Sequence, residues 1–274
     1  MPLEALVIVL VAALLHASWN LIVAGSRDIQ ATTAVAVAIG TLAVLPFALL
    51  RWDVQPEVWP FVVTSAVLEL AYFWLLTTAY GRAELSLTYP IARGAAPVIV
   101  LVVSVAFLGV TSSLAEAGGV ALVGVGVVLV RGLRGGAKWS DLALALVIAS
   151  SIAGYSLVDN QGVRYADPVT YFVLILIPPS LVGLLYVAWR GGVGRVRRAL
   201  SWHAVAGGIG TSAAYILILF AFRLAGAPSV AAVREVGVVF ATIGGAVLLH
   251  EKVGPGRLAG SVVVAIGVAL VVAG

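Results

Sequence analysis

Ten apolar runs, each about as long as a membrane-spanning helix, follow one another along the 274-residue chain. A hydrocarbon core about 30 Å thick is crossed by roughly 20 helical residues. Because lipid offers the backbone no hydrogen-bond partner, such spans must be helical. The sequence therefore predicts an all-α integral membrane protein with ten transmembrane helices. The runs lie near residues 3–24, 31–50, 60–80, 85–108, 113–130, 141–162, 168–189, 203–223, 226–249 and 257–273.

Composition favours the membrane class and argues against several others. Hydrophobic residues make up 62% of the chain and charged residues 10%, against about 25% charged in soluble domains. The chain has no cysteine and three scattered histidines, and it lacks a Gly-rich loop ending in Gly-Lys-Ser or Gly-Lys-Thr. We therefore expect no metal, nucleotide or other cofactor. The first run carries Glu4 and lacks a basic leader, so we interpret it as a retained span rather than a signal peptide.

An internal repeat divides the chain into two halves. A shift of 141 residues places Arg93 on Arg234, and a shift of 143 places Tyr72 on Tyr215. The polar stretch between the fifth and sixth runs separates the two copies. The predicted domains are a first five-helix repeat over residues 1–131, a linker over 132–140 and a second repeat over 141–274. An odd number of spans in each copy gives the two copies opposite orientations in the membrane.

The cationic loop residues predict which way the chain crosses the membrane. Of the 16 Lys and Arg residues, eleven lie in loops after odd-numbered spans and three, Arg51, Arg164 and Arg223, in loops after even-numbered spans. Short cytoplasmic loops are enriched in Lys and Arg. This explains the net charge of +4 without nucleic acid, and it predicts a multi-pass protein of the cell inner membrane with both termini outside the cytoplasm.

Four segments resemble those of a known family. They are His-Ala-Ser-Trp-Asn at 16–20, Tyr-Pro-Ile-Ala-Arg-Gly at 89–94, Arg-Glu-Val-Gly-Val-Val-Phe-Ala at 234–241 and Leu-Leu-His-Glu at 248–251. The chain resembles the EamA-type permeases of the drug/metabolite transporter superfamily over nearly its whole length. The resemblance implies ten helices in inverted five-plus-five repeats around a central cavity, and the export or import of metabolites. Relatives usually carry Gly-Glu after the fourth span, where this chain has Gly109-Val110.

Four charged residues lie at membrane depth and need an explanation. On insertion scales, each charged residue at the centre of a membrane helix costs about 2.5–3.5 kcal/mol. The four residues Glu69, Arg93, Arg234 and Glu235 together would therefore cost on the order of 10 kcal/mol if unpaired. One interpretation is structural pairing, of Arg93 with Glu69 and of Arg234 with Glu235 or Asp159. The other is that these residues bind a solute.

Helical spacing gathers further polar residues onto shared faces, since residues four apart lie on one side of a helix. Spans one, three, four, six, eight and nine are expected to line a common cavity, and spans two, five, seven and ten to lie outside it. Asp159 is expected to lie near a span end, in contact with water. The candidate substrate-binding residues are Arg93, Arg234, Glu69, Glu235, Tyr72, Tyr89, Tyr155, Asp159, Tyr215, His16 and Asn20.

Two prolines, Pro90 and Pro97, flank Arg93 in the fourth span. Proline removes a backbone donor and clashes with the preceding turn, so this span is predicted to be kinked or interrupted at the arginine. Transporters often bind solutes at interrupted helices, although a passive kink explains the prolines equally well.

These features predict a transporter that moves a small anionic or zwitterionic metabolite, such as an amino acid or organic acid, by alternating access. The alternatives are an intramembrane enzyme, with His16, Glu69 and Asp159 as acid and base, and a channel. Glu69 lies at mid-span without a basic neighbour one turn away, and desolvation favours its protonated form, so protons are a candidate coupling ion. The expected assembly is a monomer or a homodimer.

Overall fold

The computed structural model describes residues 1–82, 85–131, 139–248 and 254–274, with their side chains except those of 76–82, 85–90, 131 and 245–248. The predicted ten spans are confirmed. Residues 132–138 of the predicted linker, and His250 and Glu251, lie outside the described residues. The helices are α1 (Leu3–Ala24), α2 (Ile29–Leu50), α3 (Trp59–Arg82), α4 (Leu85–Phe107), α5 (Leu114–Arg131), α6 (Trp139–Gly162), α7 (Pro168–Ala199), α8 (Trp202–Leu224), α9 (Ala227–Arg234), α10 (Gly237–Leu248) and α11 (Pro255–Ala273), with a short 3₁₀ helix at Pro56–Val58 before α3.

The helix ends follow from local chemistry. The Asp28 carboxylate accepts a hydrogen bond from the Ala31 amide at the start of α2, and Asp167 accepts one from Val169 at the start of α7. Pro168 and Pro255 occupy first-turn positions, where a missing N–H costs nothing. The predicted ends therefore agree with the observed ends to within two residues, except at the end of α7.

The seventh helix runs ten residues past its predicted end at residue 189. Gly192 has a φ of 71°, which divides α7 into an apolar span and a short cationic segment, 193–199. Within this segment the Arg195 guanidinium donates to Asp28 Oδ2 at 2.7 Å and to Oδ1 at 3.1 Å. This contact holds the pKa of the Asp28 carboxyl below its usual value and ties the loop after α1 to the end of α7.

Packing between the helices follows the internal repeat. The third span of each half packs against the first span of the other half, so that α3 contacts α6 and α8 contacts α1. Equivalent spans also meet directly, as α2 with α7, α4 with α9 and, most extensively, α5 with α11. The two repeats are thus interleaved rather than set side by side.

Glycines allow the close approach of α5 and α11. A Cβ at Gly119 would lie 2.6 Å from the Gly267 carbonyl oxygen, and one at Gly126 would lie 2.9 Å from the Gly260 carbonyl oxygen. The 141-residue shift matches Gly119 with Gly260 and Gly126 with Gly267, so the repeat brings the same two glycines of each half together. Small residues at such crossings bring helix backbones into van der Waals contact, which helps hold membrane helices together.

Replacing Gly119 by Val should destabilise the protein, whereas the same change at the neighbouring Gly118 should not. A Cβ at Gly119 overlaps the backbone of α11, while one at Gly118 meets no atom within 4 Å. Overpacking of this kind costs about 1–3 kcal/mol, and the two substitutions share the same change in helix propensity. Thermal unfolding of the two variants in detergent micelles measures the difference. Equal melting temperatures would contradict the proposed backbone contact.

Candidate functional site

Five ionisable side chains are buried together where the two repeats meet. Glu69 of α3 and Arg93 of α4 are 5% and 7% exposed, Asp159 of α6 is fully buried, and Arg234 and Glu235 of the ninth span are 8% and 0% exposed. The expectation that Asp159 is in contact with water is wrong, because the chain buries it among α3, α7 and α8 through hydrogen bonds to Ser65, Tyr171 and Tyr215.

The ninth span is interrupted within this site. The amide of Glu235 donates to the Ala232 carbonyl at 3.1 Å, and that of Val236 donates to Val233 at 3.1 Å, so both bonds span three residues instead of four. Helix α10 then begins at Gly237, where a Cβ would lie 3.2 Å from the Ala13 carbonyl of α1. Interrupted helices at mid-membrane form the solute sites of many transporters.

The fourth span was predicted to be kinked or interrupted at Arg93, and of these two alternatives the interruption is wrong. Helix α4 is continuous through Pro90, Arg93 and Pro97. A proline inside a helix removes only one backbone donor, and neighbouring membrane helices tolerate this loss. The break lies instead beside the arginine that the repeat matches to Arg93.

Arg93 and Glu235 form an ion pair that joins the two repeats. Arg93 Nε donates to Glu235 Oε2 at 3.1 Å, and the second guanidinium contact, Nη2 to Oε1, is 3.0 Å. The first contact is a charge-assisted hydrogen bond, and the second is an ion-pair contact in which Glu235 Oε1 makes no hydrogen bond among the described residues. The predicted pairing of Arg93 with Glu69 is wrong. Helix α4 packs against α9 at the interruption of the ninth span, and the Arg93 guanidinium pairs with Glu235 there.

Arg234 lacks a comparable partner. Its Nε lies 3.9 Å from Glu235 Oε1, beyond hydrogen-bond distance, and is buried without a hydrogen-bond acceptor among the described residues. Glu235 thus neutralises Arg234 only in part, while its Oε2 accepts a hydrogen bond from Arg93. A buried guanidinium with an unused donor is suited to an anion.

The other carboxyls form a second cluster around Tyr215. The Tyr215 hydroxyl lies 2.9 Å from Glu69 Oε1 and 2.7 Å from Asp159 Oδ2. Asp159 Oδ1 also accepts from the Ser65 hydroxyl at 2.6 Å and from the Tyr171 hydroxyl at 3.0 Å. Three donors therefore converge on one buried carboxylate.

Tyrosine rings connect the two charged groups. Tyr155 packs edge-on against Tyr72 and against Tyr215, with ring centroids 6.1 and 6.4 Å apart. It also lies within electrostatic reach of Glu69, Asp159 and both arginines. The match of Tyr72 to Tyr215 in the repeat thus corresponds to two rings that both pack against Tyr155.

Of the two residues predicted in the first span, His16 lies near the charged site and Asn20 makes a bond within its own helix. His16 lies within electrostatic reach of Arg93 and Arg234, and its Nδ1 accepts a hydrogen bond from Trp19 Nε1 at 3.3 Å. The Asn20 amide donates to the His16 carbonyl at 2.7 Å, a bond within α1 that does not join either cluster. The side chain of Tyr89 lies outside the described residues.

Two residues of the site were missed in the sequence. Ser65 lies one turn before Glu69 on α3, and this spacing of four is the signal that predicts their shared face. Tyr171 belongs to α7, which we expected to lie outside the cavity, and it is fully buried. No pattern in the seventh span marks Tyr171, because Tyr171 belongs to the site only through its hydrogen bond to Asp159.

Arg93→Gln should destabilise the protein more than Arg234→Gln. The first change leaves Glu235 buried without its partner, and breaking a buried ion pair costs about 3–5 kcal/mol. The second removes a guanidinium whose Nε makes no hydrogen bond. Unfolding in mixed micelles measures both variants, and adding Glu235→Gln to Arg93→Gln should recover part of the loss. Equal losses for the two arginines would contradict the assignment of Glu235 to Arg93.

Comparison with known proteins agrees with this architecture. A chain described only as a crystal structure of a protein is 18% identical and superposes with a TM-score of 0.79, over 98% of this chain and 96% of its own length. It is one of 26 chains of solved structures that match. At this identity the likeness shows the fold alone. No curated protein sequence matches the chain.

The family comparison covers almost the whole sequence. The model of the EamA-like transporter family matches twice, over residues 3–132 and 139–273. These two matches correspond to the two five-helix repeats, so the resemblance seen in the sequence is confirmed. The chain belongs to the EamA-like transporter family of the drug/metabolite transporter superfamily and is a multi-pass membrane transporter.

Proposed function

We propose that this transporter moves a small solute with an anionic group, which binds to Arg234. The observation that carries the proposal is the buried Arg234 Nε, which has no hydrogen-bond acceptor among the described residues, beside an Arg93 that is paired with Glu235. A buried guanidinium that is only partly neutralised and lacks a hydrogen-bond acceptor at Nε is costly. A carboxylate or phosphate group on the solute would supply the missing acceptors with the bidentate geometry that arginine favours.

The side of the site opposite the arginines favours a zwitterion. The Glu69 and Asp159 carboxyls share a negative charge, and Tyr155, which packs against Tyr72, lies within electrostatic reach of both. Carboxylates and aromatic faces both attract an ammonium group. A solute with both charges, such as an amino acid, would therefore use Arg234 at one end and this second group at the other.

Alternating access is supported by the arrangement of the repeats. Two five-helix units of opposite orientation meet at the ion pair between Arg93 and Glu235, and the helix beside this pair is interrupted. Rocking of one repeat against the other is the movement that inverted repeats permit. In this proposal the solute competes for the buried charges, and the clusters rearrange as the site opens to the other side.

A surface cavity at the end of α6 suggests an entry route. The cavity has a volume of about 380 Å³, and Asn160, the residue after Asp159, lies in its wall. Arg164 and Arg223 also line it. Two guanidinium groups at the mouth would raise the local concentration of anions.

The proposed setting is the cell inner membrane, with both termini outside the cytoplasm. The distribution of Lys and Arg among the loops supports this orientation. The cationic segment 193–199 and the loop of Arg27 then lie on the cytoplasmic side. We propose a monomer or a homodimer as the working unit.

Uptake into liposomes tests the proposed function. The purified protein would first be screened for thermal stabilisation by small carboxylates, amino acids, inorganic phosphate and tetramethylammonium, because a ligand stabilises the state that it binds. The stabilising solutes would then be followed as radiolabelled compounds. Saturable uptake of an unchanged anion or zwitterion is expected. Transport of tetramethylammonium alone would contradict the proposal, a chemically altered product would indicate an enzyme, and uptake that does not saturate would indicate a channel.

Arg234→Gln should abolish uptake, and Arg234→Lys should restore little of it. Lysine retains the charge but lacks the planar fork that contacts two oxygens of an anion. The loss of one charge-assisted hydrogen bond corresponds to about 1.5–3 kcal/mol, or at least roughly tenfold in affinity. Initial rates over a range of solute concentrations measure this effect. Arg197→Gln is the matched control, because Arg197 is exposed on the segment after Gly192. Unimpaired uptake by Arg234→Gln would show that Arg234 does not bind the solute.

A further inference from the structure

The Tyr215 hydroxyl stands between two carboxyl groups but has only one hydrogen to donate. Its oxygen is 2.9 Å from Glu69 Oε1 and 2.7 Å from Asp159 Oδ2, and both are hydrogen-bond distances. An ionised carboxylate only accepts hydrogen bonds. If both carboxyls were ionised, one of these contacts would bring two acceptors together without a hydrogen between them. The geometry therefore requires a second proton, besides that of the Tyr215 hydroxyl, among Glu69, Tyr215 and Asp159.

The remaining contacts indicate where this proton lies. Asp159 also accepts from the hydroxyls of Ser65 and Tyr171, and such hydrogen bonds stabilise the ionised form. The hydrogen bond described for the Glu69 carboxyl is the one with Tyr215. The consistent arrangement is that the Glu69 carboxylic acid donates to the Tyr215 oxygen while the Tyr215 hydroxyl donates to the Asp159 carboxylate.

The charge balance of the whole buried site leads independently to the same proton. Two guanidinium groups, of Arg93 and Arg234, face three carboxyl groups, of Glu69, Asp159 and Glu235. One proton makes the set neutral, and a net charge in a buried site is costly.

The other titratable groups that face the site do not change this balance. His16 accepts at Nδ1 from Trp19, which only a neutral imidazole allows. Tyr155 and Tyr171 are neutral phenols at physiological pH.

We propose that Glu69, Tyr215 and Asp159 form a binding site for one exchangeable proton. The pair of carboxyls holds a single proton, with Tyr215 as the bridge between them. A sodium ion would have to separate three oxygens that already lie at hydrogen-bond distance, and no cluster of metal ligands occurs among the described residues. The existence of this proton site does not depend on the proposed function. Its role does, since solute transport would be coupled to the gain or loss of this proton.

Infrared spectroscopy of the protein in liposomes tests the proton site, and no solute is added. Spectra recorded at neutral pH should contain the C=O band of a protonated buried carboxylic acid, and the band should shift in D₂O because the proton exchanges. The band should be absent in both Glu69→Gln and Asp159→Asn, because either variant leaves one carboxylate for the single hydrogen of Tyr215. Glu116→Gln is the matched control and should keep the band, because Glu116 of α5 is bound by Ser112 and Ser229 outside the cluster.

The wild-type measurement decides the proposal even if a variant fails to fold. A wild-type spectrum without this band overturns it, as does a band that persists in either Glu69→Gln or Asp159→Asn. A band that disappears on adding sodium chloride at constant pH also overturns it, because the site would then take a metal cation. The outcome is separate from the proposed function: absence of the band together with uptake of an anion removes only the proton site, whereas presence of the band without anion uptake removes only the solute assignment.

Discussion

The ion pair between Arg93 and Glu235 is the contact on which the centre of this protein depends. It joins the fourth span to the ninth, and hence the first repeat to the second, at a depth where neither charge is solvated. A buried pair of this kind contributes little net stability compared with apolar packing, but the loss of either partner is costly. It therefore fixes which helices meet. It leaves the Nε of the other central arginine, Arg234, without a hydrogen-bond acceptor among the described residues.

The site departs from the symmetry of the repeat at this pair. The 141-residue shift matches Arg93 with Arg234, but it matches Glu235 with Gly94. Gly94 packs against α5, where a Cβ would lie 2.7 Å from the Gly124 carbonyl oxygen. One half of the molecule thus uses this position for close helix packing and the other uses it for charge. Two arginines that the repeat matches acquire different environments as a result, since one is hydrogen-bonded to Glu235 and the other lies 3.9 Å from it.

Backbone constraints in lipid explain why so much of the architecture was predictable. Every span must satisfy its own hydrogen bonds, so each apolar run of sufficient length becomes a helix whose ends agree with its caps and prolines. The repeat then predicts which spans are equivalent. It does not predict side-chain contacts between spans, because those depend on rotation about each helix axis. Glu69 was matched with Arg93 on charge alone, whereas the structure pairs Glu69 with Tyr215 and Arg93 with Glu235.

The sequence by itself determined the class, the ten spans, the two repeats and the set of polar residues that membrane burial brings together. Hydropathy and the 141-residue shift are visible in the sequence alone, and burial in lipid makes each apolar run a helix. Only the tertiary structure decided the position of the helix break, the membership of Ser65 and Tyr171, and the partner of each charge. These depend on distances of about 3 Å between side chains that lie far apart in the sequence. Such distances are set by how the helices pack, and the spacing along any single helix does not contain them.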